Sequence, residues 1–240
     1  MKKIILSALA AFFMVSSAYA DTVRMGTEGA YPPYNFINDN GEVDGFEKDV
    51  GDMLCIRANL DCVWVINEWD SIIPNLVSGN YDTIIAGMSI TAERDEVIDF
   101  TQDYFPPSPS VYMGMSGSDV DLDGGVIAAQ TATIQAGYVA ESGATLVEFA
   151  TAEETISAVQ NGEADAVLAD GDYLASIIAE SGGEFANVGE VSIGGGVGMG
   201  IRESDGDLKA TMNKAISSMK EDGSLNALIK KWFGNDANTF

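Results

Sequence analysis

The sequence contains no histidine. Without an imidazole there is no Ser-His-Asp or Cys-His catalytic unit, and no zinc or haem site that depends on that ligand. Positive charge is scarce as well: 12 lysines and arginines stand against 37 aspartates and glutamates, a formal net charge of −25. Such a field repels phosphate backbones and anionic headgroups, which argues against nucleic-acid binding and electrostatic docking on membranes. Cysteine occurs twice and proline six times. The remainder, 240 residues of which 46% are apolar and 20% charged, is the composition of an ordinary globular chain.

Lys2 and Lys3 precede an apolar stretch, Ile4 to Val15, broken only by Ser7, and Ala18-Tyr19-Ala20 supplies small residues for cleavage. Residues 1–20 therefore read as a secretory signal peptide. The alternative is a membrane anchor, but an apolar core of about 12 residues falls short of the roughly 20 needed to span a bilayer. Setting aside Lys2 and Lys3 leaves 10 basic and 37 acidic residues in positions 21–240, a charge of −27. No other run in that part is long and apolar enough to cross a membrane, so an exported, soluble protein is expected. In an oxidising compartment Cys55 and Cys62 are expected to pair, the alternative being two buried thiols. A ring that small is a local staple of about 2.5 kcal/mol on chain entropy.

The patterning alternates. Thr22 to Met25 reads as a strand, Phe46, Val50, Met53 and Leu54 mark a helix over about 45–59, and Cys62 to Ile66 reads as a buried strand. Ile72, Ile73, Leu76 and Val77 give another helix face, and Thr83 to Ala86 another strand. This order implies a parallel sheet covered on both faces. Pro106-Pro107-Ser108-Pro109 interrupts it as a crossing. A second α/β run follows: a strand at Val126 to Ala129, a capping box at Thr151 to Glu154 opening a helix through Val159, and a strand at Ala166 to Ala169 ending at Asp170. The stretch Gly194 to Gly200 reads as a second crossing, and it fits no nucleotide-binding glycine pattern. Two helices, divided at Asp222-Gly223, close the chain between Leu208 and Trp232.

Glu28, Asp170 and Asp172 end strands or begin loops, where carboxylates face the crevice of a parallel sheet. Two readings compete for them: ligand contact, and an acid/base pair formed by Glu28 and Asp170 for glycoside hydrolysis. Arg94 is one of only four arginines, with Arg24, Arg57 and Arg202. It is either a carboxylate clamp beside the start of a helix or a surface partner of Asp95 or Glu96. Tyr31 and Trp69, each in a loop after a strand, either sandwich a ligand or pack in the core. Asp119 to Gly124 matches half of an EF-hand loop, but Gln130 stands where its bidentate glutamate belongs; the segment reads as an acidic surface loop.

Several short motifs run in one order along the chain: Gly26-Thr27-Glu28-Gly29-Ala30-Tyr31-Pro32-Pro33-Tyr34, then Gly45-Phe46-Glu47-Lys48-Asp49-Val50, Ile73-Pro74-Asn75-Leu76 and Tyr81-Asp82. Ser89-Ile90-Thr91 with Arg94, Phe100-Thr101, Gly162 to Ala166 with Asp170, Asp222-Gly223 and Lys231-Trp232-Phe233-Gly234 follow. Together they resemble the periplasmic solute-binding proteins for polar amino acids that serve ABC importers, family 3 of the solute-binding proteins. The cysteine spacing resembles the branch that binds lysine, arginine, ornithine or histidine.

The resemblance implies a two-lobed α/β flytrap, each lobe a mainly parallel sheet flanked by helices, with two hinge crossings. Lobe 1 would comprise residues 21–106 and 195–240, and lobe 2 residues 107–194. Arg94 and the Ser89 amide would hold the ligand carboxylate. Asp170 and the Gly87 carbonyl would hold its ammonium, Tyr31 and Trp69 its side chain, and Glu28 a distal cation. Several positions depart from the family pattern, among them Glu28, longer than the aspartate common in the basic-ligand branch. Ala132-Thr133-Ile134 replaces Gly-Thr-Thr, leaving the amides of Thr133 and Ile134 but no hydroxyl at 134; glycine stands at 87 where serine is frequent; and Trp69 is larger than usual. The expected function is capture of a polar, basic L-amino acid in the periplasm and delivery to an inner-membrane ABC permease, by a monomer without cofactor, metal or enzymatic activity. An opine or a neutral or acidic amino acid is the alternative ligand, and a secreted two-lobed enzyme is the alternative class.

Overall fold

The computed structural model describes residues 22–240; the expected signal peptide, residues 1–20, lies outside them. The first half of the chain alternates as its patterning implies. Strand β1 (Val23–Thr27) leads through β2 (Ala30–Tyr31), β3 (Asn35–Ile37) and β4 (Val43–Asp44), a small antiparallel meander, into helix α1 (Phe46–Ala58). Phe46, Val50 and Leu54, four residues apart, form the fully buried face of α1. Gly45 precedes that helix at φ +118°, and a Cβ there would lie 2.5 Å from the Tyr34 carbonyl oxygen, so only glycine fits. Asn59 ends the helix in the left-handed region at φ 52°, which asparagine tolerates better than most residues.

Next come β5 (Cys62–Ile66), a single 3₁₀ turn (Trp69–Ser71), α2 (Ile72–Val77), β6 (Thr83–Ile84), the short α3 (Ala92–Asp95) and β7 (Asp99–Phe105). The chain then crosses at Pro106 to Pro109 into β8 (Ser110–Met115), followed by β9 (Val126–Gln130), α4 (Ile134–Glu141), β10 (Thr145–Phe149), α5 (Ala152–Gln160), β11 (Ala166–Asp170), α6 (Gly171–Glu180) and β12 (Phe185–Val191). The capping box that opens α5 is formed, with Glu154 N donating to Thr151 Oγ1 at 3.2 Å and Thr151 N donating to Glu154 Oε2 at 3.0 Å. After β12 the chain returns through β13 (Val197–Ile201), α7 (Gly206–Glu221) and α8 (Ser224–Phe233).

Two five-stranded sheets result, ordered β5-β1-β6-β13-β7 and β10-β9-β11-β8-β12. In each, four strands share one direction and one opposes them: β13 is antiparallel to β6 and β7, and β8 to β11 and β12. The reversed strand is in both cases the first one after a crossing. A chain that leaves one sheet at its C-terminal edge enters the other at the corresponding edge and must run away from it. The architecture is thus a two-lobed mixed α/β fold whose strand ends converge where the chain crosses.

Two details differ from the sequence reading. Cys62–Ile66 is an edge strand rather than a buried one, with Val63 and Ile66 44% and 55% exposed; a run of β-branched and aromatic residues does not report on which side of the sheet a neighbour lies. The glycine-rich stretch is a crossing only as far as Gly196. From Val197 it is a fully buried strand, because Gly198 and Gly200 admit side chains of Ile90 and Ile98 within 3 Å of where a Cβ would stand. Cys55 and Cys62 form a disulfide that ties the end of α1 to the start of β5. No helix among the described residues is long and apolar enough to cross a membrane.

Candidate functional site

The C-terminal strand ends of the two sheets face each other across a cavity. From the first sheet it is lined by Glu28 and Tyr31 after β1, Trp69 after β5, Ala86, Gly87 and Ser89 after β6, and Arg94 of α3; from the second by Gln130 at the end of β9, Thr133, Ile134 and Gln135 at the start of α4, and Asp170 at the end of β11. All nine residues singled out from the sequence as ligand contacts therefore share one cavity. Asp172 does not: it is the second residue of α6, where burial raises its carboxyl and Ser108 and Tyr34 are its neighbours.

Arg94 differs from the other arginines. Arg24 and Arg202 both pair with Asp82, at 2.8 and 2.9 Å, and Arg57 pairs with Asp222 at 2.7 Å. Among the described residues Arg94 has no carboxylate partner. Its backbone is fixed by the Thr91 cap, whose hydroxyl accepts from Arg94 N at 3.2 Å, and its guanidinium donates to the carbonyls of Ser89 at 2.8 Å and Ala132 at 3.3 Å. The guanidinium also stands 5.5 Å from the centre of the Trp69 ring. Burial lowers its pKa to about 10, against the opposing pull of Asp170 and Glu93, so it is charged at neutral pH.

The carboxylates are held in the opposite sense. Asp170 accepts from the Tyr31 hydroxyl and from Gln135 Nε2, both at 2.9 Å, yet burial still raises its pKa. Glu28 accepts from Gln130 Nε2 at 2.7 Å. Burial lifts its pKa to about 7, against that hydrogen bond and with help from the charges of Glu68 and Glu47. Tyr31–Asp170, Gln130–Glu28 and Arg94–Ala132 each join one sheet's elements to the other's.

The aromatic rings are used asymmetrically. One face of Tyr31 is covered by Tyr173 of α6, stacked at 4.0 Å and 16°, and Trp69 meets the Arg94 guanidinium, so each ring has a protein partner on one side. The Trp69 indole nitrogen is buried without a hydrogen-bond partner among the described residues. Gly87 sits at φ +62°, a conformation that glycine adopts freely and serine does not, with the Tyr31 ring 3.6 Å from where its Cβ would stand. Thr133 caps α4 with its hydroxyl, which accepts from Ala136 N at 3.1 Å and donates to Gln130 O at 2.6 Å. The first amides of α4 face the cavity end of that helix, a favourable place for an anion. The Ile134 side chain packs on the Gly194 backbone of the second crossing.

The chain matches the bacterial extracellular solute-binding proteins, family 3, over residues 23–235. It belongs to that family. Among its relatives is the lysine/arginine/ornithine-binding periplasmic protein of Escherichia coli, 31% identical, the alignment covering 97% of both chains. A solved structure from Silicibacter pomeroyi, a periplasmic His/Glu/Gln/Arg/opine family-binding protein in complex with lysine, is 73% identical, with a TM-score of 0.89 over 91% of this chain and 100% of that one. A more distant solved structure, an ancestral amino-acid-binding protein that is a precursor of cyclohexadienyl dehydratase, is 28% identical, with a TM-score of 0.79 over 88% of this chain and 95% of that one.

In this family 3 solute-binding protein the cavity has three lining residues that the sequence reading did not single out: Ala86, Gln130 and Gln135. Gln130 drew notice only as a misfit in a calcium loop. It is the polar residue that ends a parallel strand, the same signal that marked Asp170 at the end of β11. Gln135 lies in the first turn of α4 and carried no comparable mark. Tyr173, three residues after Asp170, is legible only as an aromatic residue until the two lobes are assembled.

Proposed function

We propose that this protein is the substrate-binding component of an amino-acid ABC importer and captures a basic L-amino acid between its lobes. The observation that carries the reading is the charge pattern of one cavity: a guanidinium with no carboxylate partner among the described residues, and two carboxylates held by neutral donors. An amino acid with a cationic side chain has the complementary set, one negative and two positive groups. Arg94 and the α4 amides, including that of Ile134, take its carboxylate. Asp170 and the Gly87 carbonyl take its α-ammonium, and Tyr31 and Trp69 flank its stem on the way to Glu28. The lobes are residues 21–106 with 195–240, and residues 107–194; their closure on ligand is what the permease reads. Export through a signal peptide places the protein in the periplasm, as a monomer that carries out no chemistry on its ligand.

The test is calorimetric titration of the refolded, ligand-stripped protein with arginine, lysine, ornithine, histidine, glutamine and glutamate. Tight binding confined to the basic set supports the reading; preference for glutamate or glutamine discards the role of Glu28. A second reading, an opine, is raised by one observation: Ile134 stands where the family usually has a hydroxyl, so the carboxylate end of the cavity is built differently. Octopine added to the same titration decides between them. Turnover of any of these ligands, followed by product analysis, would overturn the non-enzymatic assignment.

A further inference from the structure

Beneath the cavity lies a buried carboxylate that does not line it. Glu47, the second residue of α1, has no exposed surface, and neither have its partners Asn35 and Tyr104. Its Oε1 accepts from the Gly87 backbone N–H at 2.6 Å and from the Tyr104 hydroxyl, and its Oε2 accepts from Asn35 Nδ2 at 2.6 Å. Asn35 in turn accepts from the Gly29 backbone N–H through Oδ1 at 2.7 Å. Two loops that carry cavity residues, the one with Glu28 and Tyr31 and the one with Gly87 and Ser89, are thereby tied to one side chain. Burial raises the Glu47 carboxyl, and the three donors pull it back; the N-terminal turn of α1 adds a favourable field.

The polarity of this network has one consistent arrangement. Every outer group, Gly29 N–H, Gly87 N–H and Tyr104 O–H, is a donor aimed inward. With an asparagine at position 35 passing its own N–H on, both oxygens of residue 47 must accept. We propose that Glu47 is a positioning residue: without touching the ligand, it sets the placement of the Glu28 and Gly87 loops and so governs affinity and preference for a cationic side chain. The inference rests on the proposed function for its ligand, but its geometry does not.

The polarity argument predicts a reciprocal rescue. In Glu47→Gln the carboxamide can serve Gly87 and Tyr104 with its oxygen, but its NH₂ then meets the NH₂ of Asn35. Flipping Asn35 only moves the conflict to Gly29, beside Glu28. In Asn35→Asp two carboxylates face each other. The double variant N35D/E47Q has the same charge as the original and restores every bond. Its carboxylate, now at position 35, accepts from the carboxamide NH₂ at position 47 and from the Gly29 N–H, while the carboxamide oxygen accepts from Gly87 and Tyr104.

Calorimetry with lysine and glutamine on the full chain, below each variant's unfolding midpoint, tests this. Both single variants are expected to bind lysine about tenfold or more weakly, with a reduced lysine-to-glutamine ratio, and the double variant to return to within about threefold. A merely structural role would lower the unfolding midpoint and leave the affinity and ratio of the folded protein unchanged. Wild-type lysine affinity in E47Q, or a double variant that stays weak or does not fold, overturns the proposal. Hydrogen exchange of the Gly29 and Gly87 amides gives a readout that needs no ligand. If the unaltered protein binds no amino acid, the proposed function fails while loss of amide protection in E47Q and its recovery in the double variant uphold the positioning role; unchanged protection overturns it.

Discussion

Glu28 titrates where lysine binding would feel it, and the consequence runs in two directions. Its carboxyl is raised from an ordinary 4.5 to about 7, first by burial and then by the charges of Glu68 and Glu47, with the Gln130 amide opposing. In the ligand-free protein the folded state therefore holds the proton more tightly than the unfolded one. Below about pH 4.5 both states are protonated and Glu28 contributes nothing to the pH dependence of stability. Between pH 4.5 and 7 the unfolded state ionises first, so stability falls as pH rises, by a total of roughly 3 kcal/mol. Glu28→Gln keeps an acceptor for Gln130 and has nothing to ionise. It is expected to stabilise the ligand-free protein by up to that amount at pH 8 and hardly at all at pH 4, read by urea denaturation.

With a cationic ligand the sign reverses. A distal ammonium at Glu28 needs the carboxylate, so below pH 7 each lysine bound must displace a proton. Lysine affinity should then drop about 100-fold between pH 8 and pH 5, and calorimetry in buffers of different ionisation enthalpy should show close to one proton released at pH 6. In the proposed pose Asp170, also raised by burial, meets the α-ammonium of every amino acid, so it should weaken glutamine and lysine alike as pH falls. The lysine-to-glutamine ratio isolates Glu28. A ratio that is flat from pH 8 to pH 5, or an E28Q variant that keeps the full lysine-specific slope, would refute the reasoning.

Three further outcomes follow from other parts of the structure. Arg94→Ala should weaken every α-amino acid by at least about 100-fold in calorimetric titration, the usual cost of removing one partner of a buried charged pair, while far-ultraviolet circular dichroism stays native; retained affinity would remove the carboxylate clamp. The Cys55→Ser/Cys62→Ser pair should lose about 2.5 kcal/mol of stability to denaturant through loop entropy. Its ligand affinity should be unchanged, because the disulfide sits at the start of β5 and the cavity lies at the opposite end of that strand. Ala132, at φ 56° where the family usually has glycine, should favour Ala132→Gly: relief of about 1 kcal/mol of left-handed strain outweighs about 0.5 kcal/mol of extra freedom in the unfolded chain, so the denaturation midpoint should rise.

Much of this was legible in the sequence because it is locally encoded. Phe46, Val50 and Leu54 announce the buried face of α1, the capping box marks the start of α5, and Asp222-Gly223 divides the last two helices. The cavity was legible in part for a related reason: in a parallel sheet, polar residues at C-terminal strand ends converge, so Glu28 and Asp170 meet although far apart in the chain, while Gly87, Ser89, Thr133 and Ile134 came only with the family resemblance. What was not legible depends on partners distant in sequence. That β5 is an edge strand is decided by the absence of a neighbour, and that Val197–Ile201 is a central strand by Ile90 and Ile98 filling the space its glycines leave. Tyr31 reads as a free aromatic wall until Tyr173 covers one of its faces. Gln130 shows the same limit, since its role comes from Glu28 on the other lobe rather than from its sequence neighbours.

The division of the cavity between the lobes bears on why binding and closure should be one event. In the proposed pose the α-carboxylate and the α-ammonium are each shared between the lobes. The carboxylate meets Arg94 from the first sheet's elements and the α4 amides from the second's; the α-ammonium meets the Gly87 carbonyl and Asp170; the distal cation meets Glu28, itself bonded to Gln130. An open arrangement would leave each α-group with partners from one lobe only, so the closed form binds more tightly, and only such a difference can shift the equilibrium. Tyr31–Asp170 and Gln130–Glu28 already span the lobes through protein groups alone. They lower the cost of approach but offer the ligand no charge balance, because both end on carboxylates held by neutral donors. The balance comes from the ligand, and a cationic amino acid supplies it at both carboxylates at once.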